Sequence, residues 1–147
     1  MIEPAAIQDL VGRWWFHYDE GDFDRFPEMV TRDVHFTCRT DSGTTDYEDF
    51  VRADVRGRDD FVAWQTDHRS NSPYPLRHNG TNIHVVEHGG DSASFASYIF
   101  VTQVAGGIAP LSTGIVRGRV RVEDGSLRIA ELHVVLDTRT SVVFRDR

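Results

Sequence analysis

The chain has 147 residues, 27% of them charged and 39% hydrophobic, and carries a net charge of −7. That size predicts one globular domain able to bury roughly 68–70% of its unfolded surface. The acidic balance and the absence of any basic run exclude nucleic acid and anionic membrane surfaces as expected partners, because both need a positive footprint.

No apolar run nears the ~20 residues that span a bilayer, and the opening "MIEPAAIQDL" lacks a basic region and an apolar signal core. The expectation is a cytoplasmic protein. All 16 basic side chains are Arg, which removes lysine Schiff-base and lysine general-base chemistry. The single cysteine, Cys38, excludes an internal disulfide and reads as a reduced, half-buried strand residue.

In chain order, Ala5 to Glu20 reads as an amphipathic helix. Ile7, Leu10, Val11, Trp14, Trp15 and Tyr18 fall on one face, and Gly21 is a natural stop. "DFDRFPEMV" predicts a second, short helix. "VHFTCR" alternates and predicts a strand. Asp41 to Gly57 is polar and acidic, and reads as a long loop with a helical turn near Tyr47 to Val51. Loops of that length often serve as lids. Arg58 to His68 predicts a helix anchored by Phe61, Val62 and Trp64, broken by "SNSPYP".

The remainder reads as β: Ile83–Glu87, Ser94–Val104, Thr113–Val122 and Leu127–Leu136, separated by Gly/Asp/Pro clusters. Val116, Val120 and Val122 alternate with Arg117, Arg119 and Arg121, giving one core face and one wet face. "EDGS" predicts a hairpin turn between the last two runs. Helices followed by a meander of long antiparallel strands is an α+β layout in a single domain, 1–147.

This order of elements resembles the nuclear transport factor 2-like, or cystatin-like, fold. That resemblance implies a cone-shaped curved antiparallel sheet closed by N-terminal helices around an apolar pocket. Two stretches narrow it. "AAIQDL" followed by Asp19, and "HNGTN" beginning at His78, resemble the SnoaL-like branch, which includes hexachlorocyclohexane dehydrochlorinase and the bile-acid and scytalone dehydratases. The resemblance implies an Asp19–His78 catalytic dyad. It also marks two departures: Trp14 stands where these enzymes place a Lys or Tyr, and Leu132 stands where the dehydrochlorinase places an Arg, with Arg128 and His133 near it.

The chemistry expected of such a dyad follows from the residue types. A histidine is the side chain best suited to accept a proton near pH 7. A carboxylate on its Nδ1 fixes the tautomer and stabilises the imidazolium that forms. His78 is therefore read as a base oriented by Asp19. It would remove a carbon-bound proton from a small hydrophobic, polycyclic or polyketide-like substrate, giving dehydration, isomerisation or cyclisation, with no metal or organic cofactor. Trp14, Tyr18, Trp64, Tyr98 and Phe100 are candidate pocket walls, with Trp15 and Phe23 also considered. Asn82 and Tyr98 are candidate contacts for a carbonyl oxygen.

Plainer readings stand beside these. Asp19 also fits a solvated acidic helix end, and the aromatic residues also fit an ordinary core. His84 and His88 lie ~13 Å apart if on a strand, too far to share a metal ion. A carboxylate such as Glu131 in the pocket would favour a different enzyme on the same fold. A pocket filled by its own side chains would favour a non-catalytic ligand-binding or oligomerisation module. In the fold this chain resembles, strand edges and an exposed sheet face are usually covered by another copy, so the resemblance implies a homodimer or homotrimer.

Overall fold

The structure is a computed structural model that describes residues 1–104 and 108–147. The Gly-Gly cluster between the second and third predicted β-runs lies at 105–107, outside the described residues.

Helix α1 spans Pro4–Glu20, with the proline in its first turn, where no backbone N–H is needed. It ends at Gly21 (φ +70°). There the Asp22 N–H reaches the His17 carbonyl and the Gly21 N–H reaches the Tyr18 carbonyl, closing the last turn. A 3₁₀ turn, Phe23–Arg25, runs into the short α2, Phe26–Met29. Strand β1 is Val30–Thr40, longer at both ends than its alternating core predicts.

The Asp41–Gly57 stretch is not one long loop. It holds a single helical turn, α3 (Glu48–Val51), and a short strand, β2 (Ala53–Arg56), that pairs with β1. The acidity of this stretch hid the strand, but one of its acids is structural. The Glu48 carboxylate is buried and accepts hydrogen bonds from the Thr40 backbone N–H and hydroxyl, the Thr45 hydroxyl and Arg52. These bonds, led by the Thr40 hydroxyl, hold its carboxyl below the usual range.

Helix α4 (Arg58–Ser70) precedes the four long strands β3 (Leu76–His88), β4 (Ser92–Val104), β5 (Ile108–Glu123) and β6 (Ser126–Leu136). The sheet order is β2-β1-β6-β5-β4-β3. It is open, and one neighbouring pair, β1 and β6, is parallel. The predicted meander of four antiparallel strands is present as β3 to β6, and the whole six-stranded sheet is mixed because β6 also lies parallel to the first strand. The β5–β6 hairpin turns at Asp124 and Gly125, both with positive φ, as "EDGS" predicts.

Strand β3 begins at Leu76, seven residues before the predicted run. Asn79-Gly80 is not a turn. Both residues sit in the ladder, opposite Phe100 and Ile99 of β4. Glycine is there because α1 packs close: a Cβ at Gly80 would lie 3.2 Å from the Trp15 indole. The inner sheet face, α1, α2 and α4 enclose one core that includes Trp14, Phe26, Phe61, Phe95, Val116 and Leu132. Among the described residues, no helix is long and apolar enough to cross a membrane.

Candidate active site

The last turn of α1 lies on the start of β3, and this contact brings Asp19 to His78. The His78 ring Nδ1 lies 2.5 Å from Asp19 Oδ1, and the His78 backbone N–H donates to Asp19 Oδ2 at 2.7 Å. Both carboxylate oxygens are thus used on one residue. An ionised carboxylate only accepts, so in the neutral ring the proton sits on Nδ1 and Nε2 carries the lone pair. The side chains of His78 and Asp19 are 13% and 6% exposed, which shields the pair from bulk water.

Other side chains fix the ring. Trp15 stacks flat on it, with centroids 4.8 Å apart and planes 5° off parallel, and Tyr18 meets it edge-on at 5.1 Å. Trp15, Tyr18 and Asp19 share one face of α1 because they are spaced three and four apart.

A carboxylate at a helix C-terminus is disfavoured by the helix dipole. Arg69 of α4 supplies the remedy. Its buried guanidinium donates to the Tyr18 carbonyl (3.1 Å) and the Asp19 carbonyl (2.8 Å), and on its other side to Pro73 (3.0 Å). A cation thus takes up the exposed end of α1 and holds the backbone from which Asp19 projects. The next residues add a brace on the rim, where Arg77 pairs with Glu20 at 2.8 Å.

His78 opens onto a cavity of about 360 Å³ walled mainly by carbon, with Trp15, Tyr18, Phe36, Trp64, Val101 and Leu136 among its lining. From the α3 side Tyr47, Phe50 and Val51 complete the wall. Cys38 also faces the cavity, buried rather than half-buried, and burial pushes its thiol up to about 12. It stays a protonated thiol at neutral pH. Burial likewise raises the Tyr18 phenol above its ordinary value.

Several predicted contacts lie elsewhere. Trp14 is one position off the cavity face and packs in the core against Phe26 and Phe61. Phe23 packs on Phe26, and is not among the cavity walls. Tyr98 and Phe100 are 57% and 39% exposed on the opposite face of β4, because strand alternation sends Ile99 and Val101 inward instead. Asn82 sits exposed, with φ +56°, at an irregularity in β3 and is also outside the cavity. Tyr18 and Trp64 do line it.

Leu132 is core, while Glu131 and His133 belong to the other sheet face, where His133 meets the Thr37 hydroxyl. Glu131 helps line a separate, polar hollow with Asp33, His35 and Arg121. Among the described residues, no group of three or more His, Cys, Asp or Glu is placed to hold a metal ion.

Sequence reasoning missed a polar set on α4. Gln65 and His68 both line the cavity. The His68 Nδ1–H donates to the Phe50 carbonyl at 3.1 Å, and its ring is stacked between Phe50 and Trp64. Burial, reinforced by the positive charge His78 can carry, pushes its pKa below the ordinary histidine value. A signal was present. Phe61, Trp64, Gln65, His68 and Arg69 follow the i, i+3, i+4, i+7, i+8 spacing of a buried helix face. Three polar residues on such a face call for partners.

A sequence model of the SnoaL-like domain matches residues 3–133. No curated protein matches the chain. Among solved structures, an NTF2-like protein with a cystatin-like fold from Novosphingobium aromaticivorans superposes with a TM-score of 0.72 at 20% identity, covering 90% of this chain and 80% of that one. A proposed scytalone dehydratase from the same organism gives 0.72 at 13% identity, covering 96% and 88%. The beta subunit of a proposed aromatic-ring-hydroxylating dioxygenase, also from that organism, gives 0.73 at 15% identity, covering 95% and 92%. At these identities the likenesses speak to the cystatin-like fold.

Proposed function

The chain belongs to the SnoaL-like domain family, and from that premise we propose that it is a lyase or isomerase in which His78 removes a carbon-bound proton. The observation that carries the reading is the Asp19–His78 pair at 2.5 Å, opening onto an apolar cavity. Asp19 holds the proton on Nδ1 and leaves the Nε2 lone pair to act as base. It then stabilises the imidazolium formed in the step. The protonated ring returns its proton to a leaving hydroxyl, completing dehydration, or to a second carbon, completing isomerisation or cyclisation.

The cavity favours a hydrophobic substrate with few polar groups, of the polycyclic or polyketide-like class. That the cavity is open, and not filled by its own aromatic side chains, supports catalysis over a purely structural role. The dyad also argues against one. The fold likeness to a proposed scytalone dehydratase is compatible with the dehydratase branch.

Hydrogen–deuterium exchange tests the reading without knowledge of the natural substrate. A bicyclic ketone, 2-tetralone, is incubated with protein in D₂O, and label at the carbons beside the carbonyl is followed by mass spectrometry. Wild type should accelerate exchange and His78→Ala should not. Equal exchange by both proteins, or none above buffer with wild type, contradicts the base assignment.

A further inference from the structure

A base that takes a proton from carbon needs somewhere for the electron pair to go, and in an apolar cavity that place must be built. Removal of a proton beside a carbonyl puts negative charge on oxygen, so a hydrogen-bond donor must wait there. Asn82 and Tyr98 lie outside the cavity. Gln65 is inside it. Its side chain is 3% exposed, and its Nε2 has no hydrogen-bond partner among the described residues.

A buried, unpartnered amide is destabilising, and native structures keep such groups rarely and for a reason. The neighbouring orphans have other settings. Trp15, which also lines the cavity, has its Nε1 3.2 Å from where a Cβ on Gly80 would stand, and Trp14 Nε1 lies in the core. Gln65 alone among the orphaned side chains combines a flexible amide with a place on the cavity wall.

Its neighbour completes a complementary pair. One turn further along α4, the His68 Nδ1–H is committed to the Phe50 carbonyl, so its Nε2 is an acceptor when the ring is neutral. Gln65 and His68 thus place an amide and an imidazole on the cavity lining, one turn apart on α4.

We propose that the Gln65 amide N–H is the donor for a substrate carbonyl oxygen that becomes enolate-like as His78 removes the adjacent proton. This rests on the reading of His78 as the base. In the step, the C–H electron pair becomes the new carbon–carbon double bond, the carbonyl π pair moves onto the oxygen, and the proton moves to His78 Nε2. Collapse of the enolate then takes the same proton back at another carbon, or expels a β-hydroxyl that leaves with it as water. The substrate class is therefore an enolisable carbonyl compound, and His68 suits one that also carries a hydroxyl.

The test uses 2-naphthol, whose ionised form mimics an enolate in a hydrophobic frame, and naphthalene, which lacks the oxygen. Both are titrated into the full chain by fluorescence, and ionisation of bound 2-naphthol is followed by absorbance. Gln65→Leu should weaken 2-naphthol about tenfold, the order expected for one lost hydrogen bond to a charged oxygen. It should also raise the pH at which the bound naphthol ionises, while naphthalene affinity stays within about twofold.

Gln65→Glu, which keeps an acceptor and loses the donor, should weaken 2-naphthol at least as much. The assignment is overturned if either variant binds 2-naphthol like wild type. It is equally overturned if Tyr18→Phe produces the whole loss in their place, or if wild type binds neither probe. Unchanged naphthalene binding guards against a folding defect. The readout is separate from that of the base: tetralone exchange that survives His78→Ala would remove the base reading while leaving the naphthol result to stand or fall alone.

Discussion

Two walls of one cavity each carry a histidine, and each holds its Nδ1 proton on a different acceptor. On the β3 wall, His78 gives that proton to the Asp19 carboxylate. On the α4 wall, His68 gives it to the Phe50 carbonyl. The tautomer is the same and the consequence is opposite. A carboxylate stabilises the charge that appears when the far nitrogen takes a proton, whereas a neutral carbonyl in a buried setting does little to offset desolvation. In the proposed function, the acceptor behind the ring is what separates a base from a neutral contact, in a cavity both rings line.

The largest expected effect breaks the β3 wall. His78→Ala should slow ketone exchange by ~10²–10⁴-fold, the usual range for a lost general base. Asp19→Asn should fall within the same range while leaving the fold's circular dichroism intact. Equivalent losses from His68→Phe would erase the distinction between the walls.

Next comes the tie between them. Arg69→Met removes a buried cation that holds the carbonyls of Tyr18 and Asp19. It should cost about 3 kcal/mol in urea unfolding and should lower exchange activity, because Asp19 loses its anchor. A loss of stability with activity unchanged would show that Arg69 supports the fold and not the dyad.

Gly80→Ala should cost about 1 kcal/mol, since its Cβ would press on the Trp15 indole that stacks on His78. A thermal melt measures it, and a neutral result would mean that Trp15 is free to shift.

The smallest effect belongs to the α4 wall. Folding lowers the His68 pKa from 6.5. The unfolded chain therefore binds that proton more readily, and stability rises with pH through the window just below 6.5 and is complete above it. His68→Phe should flatten the slope of stability against pH in the window just below 6.5. An unchanged slope would assign it to other groups.

Much of the β3 wall was legible in the sequence, because Asp19 stands at a helix end where the dipole disfavours it and the "HNG" stretch carries the family resemblance. Asn-Gly signals a turn in isolation, yet here the glycine serves the close approach of α1, a tertiary fact invisible to local pattern. Tyr98 and Phe100 were assigned to the pocket on chemistry, and strand alternation placed them on the other side. The α4 wall was missed because its helix was read for apolar anchors alone. The polar residues interleaved with Phe61 and Trp64, namely Gln65, His68 and Arg69, held the information. Strand β2 escaped because four residues in an acidic stretch carry too little periodicity to detect.

The most direct test of the central claim is the tautomer of the two histidines, read from ¹⁵N chemical shifts at a pH where both rings are neutral. The expected result is Nδ1–H with an unprotonated Nε2 for His78, with Asp19→Asn disturbing that state and leaving His68 as it was. A His78 ring protonated on Nε2, or one indifferent to Asp19→Asn, would contradict it, because the base would then have no lone pair facing the cavity.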